Sequence, residues 1–316
     1  MTRGVVLLNE NDYHKGVRRI LACLFVGSAL LPVVSCSGGD DAVDGTRIVV
    51  THAVLGSVVG ELVGDAADVL VLVPNGTDPH EWEPSAKDIE RLNDADLVVA
   101  NGLGLEANLD EALREAEDAG VPVFHATDHI EVRSGDDHED DREDGDDHDH
   151  AAGDPHFWTD PLAMAMVVDA LVTELASIGV GGLDGDAVEA DLTDLDAEVR
   201  SLLAPVTERR LVTGHESLGY FADRYDFELV GAVIPSLSTN ADVTAADLSE
   251  LKRAIVATGV TTVFTELGTP DDVARAIADE TGARVVEIST HLVPEDGTYR
   301  SFILRLTSTI ADALSP

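Results

Sequence analysis

Three histidines stand in short motifs of turn-forming residues. They end the stretches Asn75-Gly-Thr-Asp-Pro-His80, Gly153-Asp-Pro-His156 and Thr213-Gly-His215. A turn holds the next side chain at a fixed angle, which suits a group that must point at a partner. Neutral imidazole is the commonest metal ligand near pH 7, and imidazoles that converge from separate loops suit a borderline-soft cation such as zinc. The motifs therefore predict a metal-binding protein.

Each motif also has a purely structural interpretation. Ser85 follows His80 where a helix would begin, so this stretch could simply be a helix entry with Ser85 as its N-cap. His156 precedes Phe-Trp and could belong to an aromatic-packed turn, and His215 could be a polar residue at a strand-to-helix junction. Each signal is weak alone, but three such histidines in loops of one chain favour a shared site.

The elements that must position these histidines alternate between strand and helix. In the first part of the chain, the apolar runs predict strands at 47–51, 69–73, 95–100 and 121–124. Helices are predicted between them at 54–63, 87–93 and 105–119. Such alternation predicts a parallel sheet with helices on both faces. Ligands of these sheets bind at the loops that leave the C-terminal strand ends, and His80 lies in such a loop.

A second α/β series follows. It has predicted strands at 210–213, 227–230, 262–265 and 285–288 and predicted helices at 245–258, 271–281 and 302–314. Between the two series lie amphipathic helices at 161–178 and 187–203, and the second of these is long, acidic on its outer face and typical of a connector. We therefore predict an α/β fold of two lobes, 46–186 and 207–316, joined by a linker helix at 187–206. His80 and His156 belong to the first lobe and His215 to the second, so the site is expected between them.

The composition excludes some partners. The 316 residues carry a formal net charge of −41, which disfavours nucleic acid and anionic membrane surfaces as partners. The same charge is compatible with attracting cations, although adaptation to salt or solubility explains it equally well. Hydrophobic residues make up 44% of the chain, which is enough for a substantial core.

The N-terminus resembles a bacterial export signal. Basic residues precede an apolar run at 20–34 that is short for a membrane span. The run ends in Val33-Val34-Ser35-Cys36, a lipobox-like sequence that predicts removal of residues 1–35 and lipidation of Cys36; an ordinary signal peptide is the alternative. Residues 36–45 then form a flexible tether. Because the only other cysteine, Cys23, leaves with the signal, no cysteine remains for a metal site.

A run rich in Asp and His lies between the first and second motif histidines, His80 and His156. Residues 136–150 contain no large apolar side chain, so a disordered loop is predicted over 129–150. Its imidazoles and carboxylates could hold zinc weakly, and the alternative is a solvated linker. The histidines of this auxiliary loop are His138, His148 and His150.

Four stretches together resemble the metal-binding solute receptors of bacterial ABC importers, the zinc and manganese group. They are 73–84, Asn101-Gly-Leu-Gly-Leu-Glu106, 154–161 and 212–220, and the resemblance covers about residues 46 to 315. It implies two pseudo-symmetric α/β lobes joined by one long rigid helix, with the metal in the cleft. It also implies that His80, His156 and His215 are metal ligands. Manganese members tend to have Glu at the third position, so His215 favours zinc.

The fourth ligand is where this sequence departs from the family. The family usually has an Asp in the turn after the last strand, whereas here that turn reads Ile288-Ser-Thr-His291-Leu. His291 is therefore the expected fourth ligand, with Asp296 or a water molecule as the alternatives. Glu266, at the end of the strand 262–265, is expected to orient an imidazole without touching the metal.

The resemblance implies a monomeric receptor, anchored to the outer face of the cytoplasmic membrane or periplasmic, that captures Zn2+ and delivers it to an ABC-type permease. A manganese receptor and a zinc-buffering or adhesin-like lipoprotein are the alternatives within this fold. A hydrolase with three histidines on zinc would need an open coordination position and a general base. The sequence contains no His-Glu-x-x-His signature, so we do not expect an enzyme.

Overall fold

The computed structural model describes residues 45–134 and 153–315, and its first half is built on one parallel sheet. The strand order is β2-β1-β3-β4, and every neighbouring pair is parallel. The strands are β1 Arg47–His52, β2 Asp68–Val73, β3 Leu97–Ala100 and β4 Val123–His125, and the helices are α1 Ala53–Val63, α2 Ala86–Asn93 and α3 Asp110–Asp118. The predicted alternation of strand and helix is confirmed here.

The second half repeats this arrangement. β5 pairs with β6 and β7 pairs with β8, both in parallel, and β5 lies beside β7. These strands form two separate two-stranded sheets, and their order in space, β6-β5-β7-β8, is that of the first half. The strands are β5 Arg210–Thr213, β6 Glu228–Ala232, β7 Thr262–Thr265 and β8 Arg284–Glu287, and the helices are α6 Gly219–Arg224, α7 Ala245–Thr258, α8 Asp271–Thr281 and α9 Tyr299–Leu314.

Two long helices, α4 Pro161–Ser177 and α5 Gly185–Leu203, lie between the halves in the chain. α5 packs against both α4 and α9, because Leu195 and Val199 are fully buried on its inner face. It begins two residues before the predicted position, where the Asp184 side chain accepts the Ala187 N–H and caps it. Its role as a rigid connector over 187–206 remains a prediction.

Alternate residues of the first sheet face two separate cores. Val50 of β1 belongs to a cluster that also contains Leu195 of α5 and Ile303 of α9, so this core extends into the second half. Val49 faces the opposite side, where α2 and α3 cover the sheet. The third cluster lies between the second half's strands and the helices α7 and α8. The arrangement is the layered one expected for parallel strands covered on both faces.

Some predicted boundaries were wrong. The helix expected at 105–119 begins only at Asp110, because Glu106 turns inward and its carboxylate accepts the Asn101 N–H at 3.0 Å. α9 begins at Tyr299, three residues early, because Thr298 caps it by accepting the Ser301 N–H. The short helix α6 follows His215, as expected for a strand-to-helix junction, although no bounds were predicted for it.

The N-terminal signal, Cys36 and most of the tether lie outside the described residues, as do His138, His148 and His150. Of the loop expected at 129–150, the first residues are described, and His129 ends a 3-10 turn in which its ring stacks on Phe124. Within 45–134 and 153–315, no helix is long and apolar enough to cross a membrane.

Candidate metal centre

His80 leaves β2 through a turn that its own motif builds. The Asp78 carboxylate accepts the His80 N–H at 2.9 Å, and its other oxygen accepts the Thr239 hydroxyl at 2.7 Å. Downstream, Ser85 and Asp88 form a reciprocal capping box at the start of α2. The capping box confirms the helix-entry interpretation of this motif, and the same loop turns His80 into the protein, where it is buried.

His156 is held by the same kind of turn. Asp154 accepts the His156 N–H at 2.9 Å, as Asp78 does for His80, and the same oxygen lies 2.8 Å from His156 Nδ1. Because an ionised carboxylate can only accept a hydrogen bond, Nδ1 carries the ring proton and Nε2 presents its lone pair. This is the carboxylate–histidine arrangement that orients metal ligands.

His215 follows β5 and pairs with a carboxylate from the end of β7. Its Nδ1 lies 3.0 Å from Glu266 Oε1, and its N–H donates to the same oxygen at 3.2 Å. Glu266 also accepts hydrogen bonds from Ser217 Oγ at 2.8 Å and Thr290 Oγ1 at 2.6 Å. Glu266 thus lies where a carboxylate that orients an imidazole is expected.

The three imidazoles converge on one point. His156 Nε2 lies 3.2 Å from His80 Nε2 and 3.2 Å from His215 Nε2. One nitrogen from each ring lies within 4.8 Å of the other two. Four nitrogens around a tetrahedral zinc ion, with bonds near 2.0–2.1 Å, would lie about 3.3 Å from one another. The two separations from His156 Nε2 therefore already match the spacing that a zinc ion requires.

His291 lies next to this trio, in the turn after β8. Its ring centroid is 6.5 Å from that of His215 and 5.6 Å from that of Trp158. Neither of its ring nitrogens has a hydrogen-bond partner although the residue is only 5% exposed. A buried polar atom without a partner is costly, so its presence calls for an explanation. One explanation is that His291 is a metal ligand, because a bound ion would then be the partner of one of these nitrogens.

Asp296, the alternative fourth ligand, has a different place. It is exposed, and its carboxylate accepts hydrogen bonds from the Thr298 N–H and the Ser301 hydroxyl at the start of α9. These contacts hold the pKa of Asp296 below its ordinary value. The structure therefore brings His80, His156 and His215 together, places His291 beside them and leaves Asp296 at the protein surface.

The electrostatics keep most of these imidazoles neutral. Burial, followed by the neighbouring histidines, lowers the pKa of His80 to about 2 and holds the pKa of His156 and of His291 well below the ordinary value. Burial is the largest single effect on His215 and acts in the same direction, but the charge and hydrogen bonding of Glu266, together with the charges of Asp78 and Asp154, outweigh it and raise the pKa of His215. For Glu266, burial favours the neutral acid, yet His215 and the hydrogen bonds hold its pKa below the ordinary value.

A polar network that sequence reasoning missed supports His156 from behind. Asn101 donates from Nδ2 to the carbonyl of Pro155 at 3.0 Å, and its Oδ1 lies 3.2 Å from His52 Nε2. This network gives a structural role to Asn101 of the Asn101–Glu106 stretch, for which the sequence alone indicates no role. Asp78 and Asp154 also hold the loops of His80 and His156, and sequence reasoning missed them. Each lies two residues before its histidine, and this repeated spacing is the signal that could have identified them.

A family model described as zinc-uptake complex component A, periplasmic (ZnuA), matches residues 48–313. The chain belongs to this family. Zinc-binding protein TroA of Treponema pallidum is 29% identical over 94% of this chain and 98% of its own. A solved structure of TroA superposes with a TM-score of 0.73 at 25% identity, covering 86% of this chain and 100% of that one.

Other members of the ZnuA family differ in the metal that their names carry. High-affinity zinc uptake system protein ZnuA of Bacillus subtilis is 27% identical, covering 87% of this chain and 88% of its own. Manganese-binding lipoprotein MntA of Halalkalibacterium halodurans is 24% identical, covering 88% and 92%. Membership of the family agrees with the prediction of a binding protein and not an enzyme, whereas the choice of metal depends on this chain's own donors.

Proposed function

We propose that the protein is an extracytoplasmic receptor that binds Zn2+ and delivers it to an ABC-type permease for import. The observation that carries this proposal is the convergence of three buried imidazoles, in which His156 Nε2 lies 3.2 Å from the Nε2 atoms of both His80 and His215. Imidazole nitrogen suits zinc better than manganese, which prefers oxygen ligands. The ZnuA family membership supports the transport role.

In this proposal the ligands are His80, His156, His215 and His291. Asp154 orients His156 through a hydrogen bond with its Nδ1, and Glu266 lies 3.0 Å from His215 Nδ1 and accepts its backbone N–H; both arrangements leave Nε2 for the ion. The two carboxylates also supply two negative charges next to a dication, although neither touches it. Such charge balance matters because an uncompensated charge in a buried site is costly.

His291 is the better candidate for the fourth position. It is buried beside the other three and has two ring nitrogens without partners, whereas Asp296 is exposed and already hydrogen-bonded. Four protein ligands leave no open position for an activated water molecule, which a zinc hydrolase would need. The near-complete burial of all four imidazoles also leaves no room for an organic substrate next to the ion.

The sequence and the relatives support a proposed location outside the cytoplasm. The lipobox-like Val33–Cys36 supports lipid anchoring through Cys36, so the receptor would stay close to its permease. Converting Cys36 to Ser should then release the protein into the soluble fraction or stall its processing. We further propose that it acts as a monomer and that His138, His148 and His150 hold additional zinc weakly.

The test is the metal stoichiometry of the purified mature protein. Calorimetric titration with zinc should give one tight equivalent, with weaker equivalents that disappear when residues 135–150 are deleted. The variant His156→Ala should lose the tight equivalent while keeping the weak ones. Loss of the tight equivalent on deletion of 135–150, or tighter binding of manganese than of zinc, would contradict the proposal.

A further inference from the structure

The loop that carries His80, residues 75–80, is bonded to the second half of the chain at its first residues. The Asn75 amide donates from Nδ2 to the Val293 carbonyl at 2.8 Å, and the Val293 N–H donates back to Asn75 Oδ1 at 2.8 Å. The N–H of Gly76 donates to the His291 carbonyl at 3.2 Å. The start of the His80 loop is therefore fixed to the segment that carries His291.

The end of the same loop is bonded to a second segment of that half. Asn240, after β6, donates from Nδ2 to the His80 carbonyl at 2.7 Å. Its neighbour Thr239 donates to the Asp78 carboxylate at 2.7 Å. Gly268 makes room for this contact, because a Cβ at that position would lie 2.6 Å from Asp78 Oδ2. The His80 loop thus belongs to the first half by chain connection and is held to the second half by side chains.

Among these contacts the Asn75 pair has a special place. A side-chain amide offers the same donor and acceptor as a peptide group, so Asn75 pairs with Val293 as a neighbouring strand would. Val293 is buried and lies two residues beyond His291. One uncharged side chain therefore sets the spacing between two candidate ligands from opposite halves of the chain.

We propose that Asn75 is a positioning residue that holds the His80 loop against segment 291–293 and thereby slows the departure of bound zinc. The inference rests on the proposed function. Zinc can leave only when His80 separates from the ligands of the second half, and this separation breaks both bonds of Asn75. The bonds exist only when the loop is in place, so their loss should act mainly on the release rate and little on the rate of first encounter.

The test is the release rate of zinc from the full mature chain carrying Asn75→Ala. A hydrogen bond contributes a few-fold to about tenfold to an equilibrium constant, so release into excess chelator, followed by stopped flow, should be about tenfold faster. The association rate should stay within about twofold. Asn93→Ala is the matched control, because that amide only donates to Ile89 within its own helix, and its release rate should equal that of the wild type.

Release of zinc from Asn75→Ala at the wild-type rate would overturn the proposal. So would an equal slowing of association, which would show a general distortion of the site. If Asn75→Ala does not fold, Asn75→Asp removes the donor to the Val293 carbonyl while keeping the size of the side chain, and a wild-type release rate in that variant would equally overturn the proposal. Failure of the wild type to bind zinc tightly would instead reject the proposed function itself.

Discussion

Each of two candidate ligands, His156 and His215, has its own carboxylate, and this pairing decides how the residues behave. Asp154 fixes the tautomer of His156, and Glu266 raises the proton affinity of His215. An imidazole that is hydrogen-bonded through Nδ1 is a stronger and better aimed ligand than a free one. The carboxylates thus orient the donor nitrogens of the site. Substitutions of these carboxylates should therefore weaken zinc binding nearly as much as substitutions of the ligands.

Removing the fourth imidazole should distinguish the two candidates for that position. We expect His291→Ala to weaken zinc binding by at least tenfold, because a nitrogen ligand is lost from a buried site. Asp296→Ala should leave zinc affinity unchanged and lower thermal stability only slightly, because its carboxylate supports the start of α9. Competition titration against a chelator measures both variants. The reverse ranking would make Asp296 the ligand.

Exchanging His215 for Glu should not by itself produce a manganese site. The new carboxylate would lie beside Glu266, whose Oε1 is 3.0 Å from the present imidazole, and two buried like charges repel. We expect His215→Glu to weaken binding of both metals. The double variant with Glu266→Gln should relieve the repulsion and bind manganese better relative to zinc, because a hard oxygen donor has replaced nitrogen. Competition titrations with both metals would contradict this if the metal preference of the double variant is unchanged.

At the scale of the elements, three of the four candidate ligands come from the ends of parallel strands, and His156 comes from the turn before α4. β2, β5 and β8 each end just before the loop that carries His80, His215 or His291. Because parallel strands point the same way, their C-terminal ends meet at one edge of each sheet. The fold therefore brings together residues that are far apart in the chain, and the loops determine the direction of their side chains.

The close approach of β5 and β7 at this edge makes Gly214 essential. A Cβ at Gly214 would collide with Thr269 Oγ1 and lie 3.1 Å from Glu266 Cγ. We expect Gly214→Ala to cost about 1–3 kcal/mol of stability through overpacking and to weaken zinc binding by displacing Glu266. Gly181→Ala is the matched control, since no atom lies within 4 Å of the Cβ it would add. Thermal unfolding and zinc titration of both variants test this, and equal behaviour would refute it.

The sequence predicted helices and strands well where their hydrophobic pattern determines their position. It predicted them poorly where a single side-chain hydrogen bond determines where a helix begins. The strands were found because buried runs such as Leu97–Ala100 are continuous apolar stretches. The start of α3 was missed because the inward turn of Glu106 depends on one hydrogen bond to Asn101. Candidate ligands were readable as motifs, but their supports Asp154 and Asn101 act through contacts that only the folded chain creates.

At the scale of the whole molecule, one core joins the two halves. The cluster that contains Val50, Leu195 and Ile303 runs from the first sheet through α5 to α9. Arg300 of α9 adds ion pairs to Asp191 and Glu198 of α5, although such exposed pairs contribute little. The continuous apolar contact, and not the ion pairs, holds the halves together away from the metal centre.

Stability of the metal-free molecule should fall as pH drops below about 6.5. Buried histidines with lowered pKa take up a proton on unfolding, so each one costs up to about 1.4 kcal/mol per pH unit below the unfolded value of about 6.5. His215 has a raised pKa, is protonated in both states below that value and cannot offset the loss. The histidines with lowered pKa are His52, His80, His156 and His291.

Thermal unfolding of the metal-free protein between pH 7 and pH 5.5 measures this dependence. The variant His80→Gln should show a shallower slope than the wild type, because one titrating group is gone. Tyr220, whose pKa is raised to about 12 by burial, titrates far outside this range and serves as a reference through the variant Tyr220→Phe. A slope that is the same in His80→Gln as in the wild type would contradict the assignment.

The burial of the four imidazoles, which are between 0 and 5% exposed, has a consequence for how the molecule handles its cargo. An ion in this position would have exchanged its whole water shell for nitrogen, and its ligands would be almost completely shielded from solvent. Free and held zinc would then interchange only as often as the protein opens. A strong zinc chelator nearby would then lower the final occupancy of the receptor without speeding the exit of the ion, because the rate of exit would be set by the rate at which the protein opens.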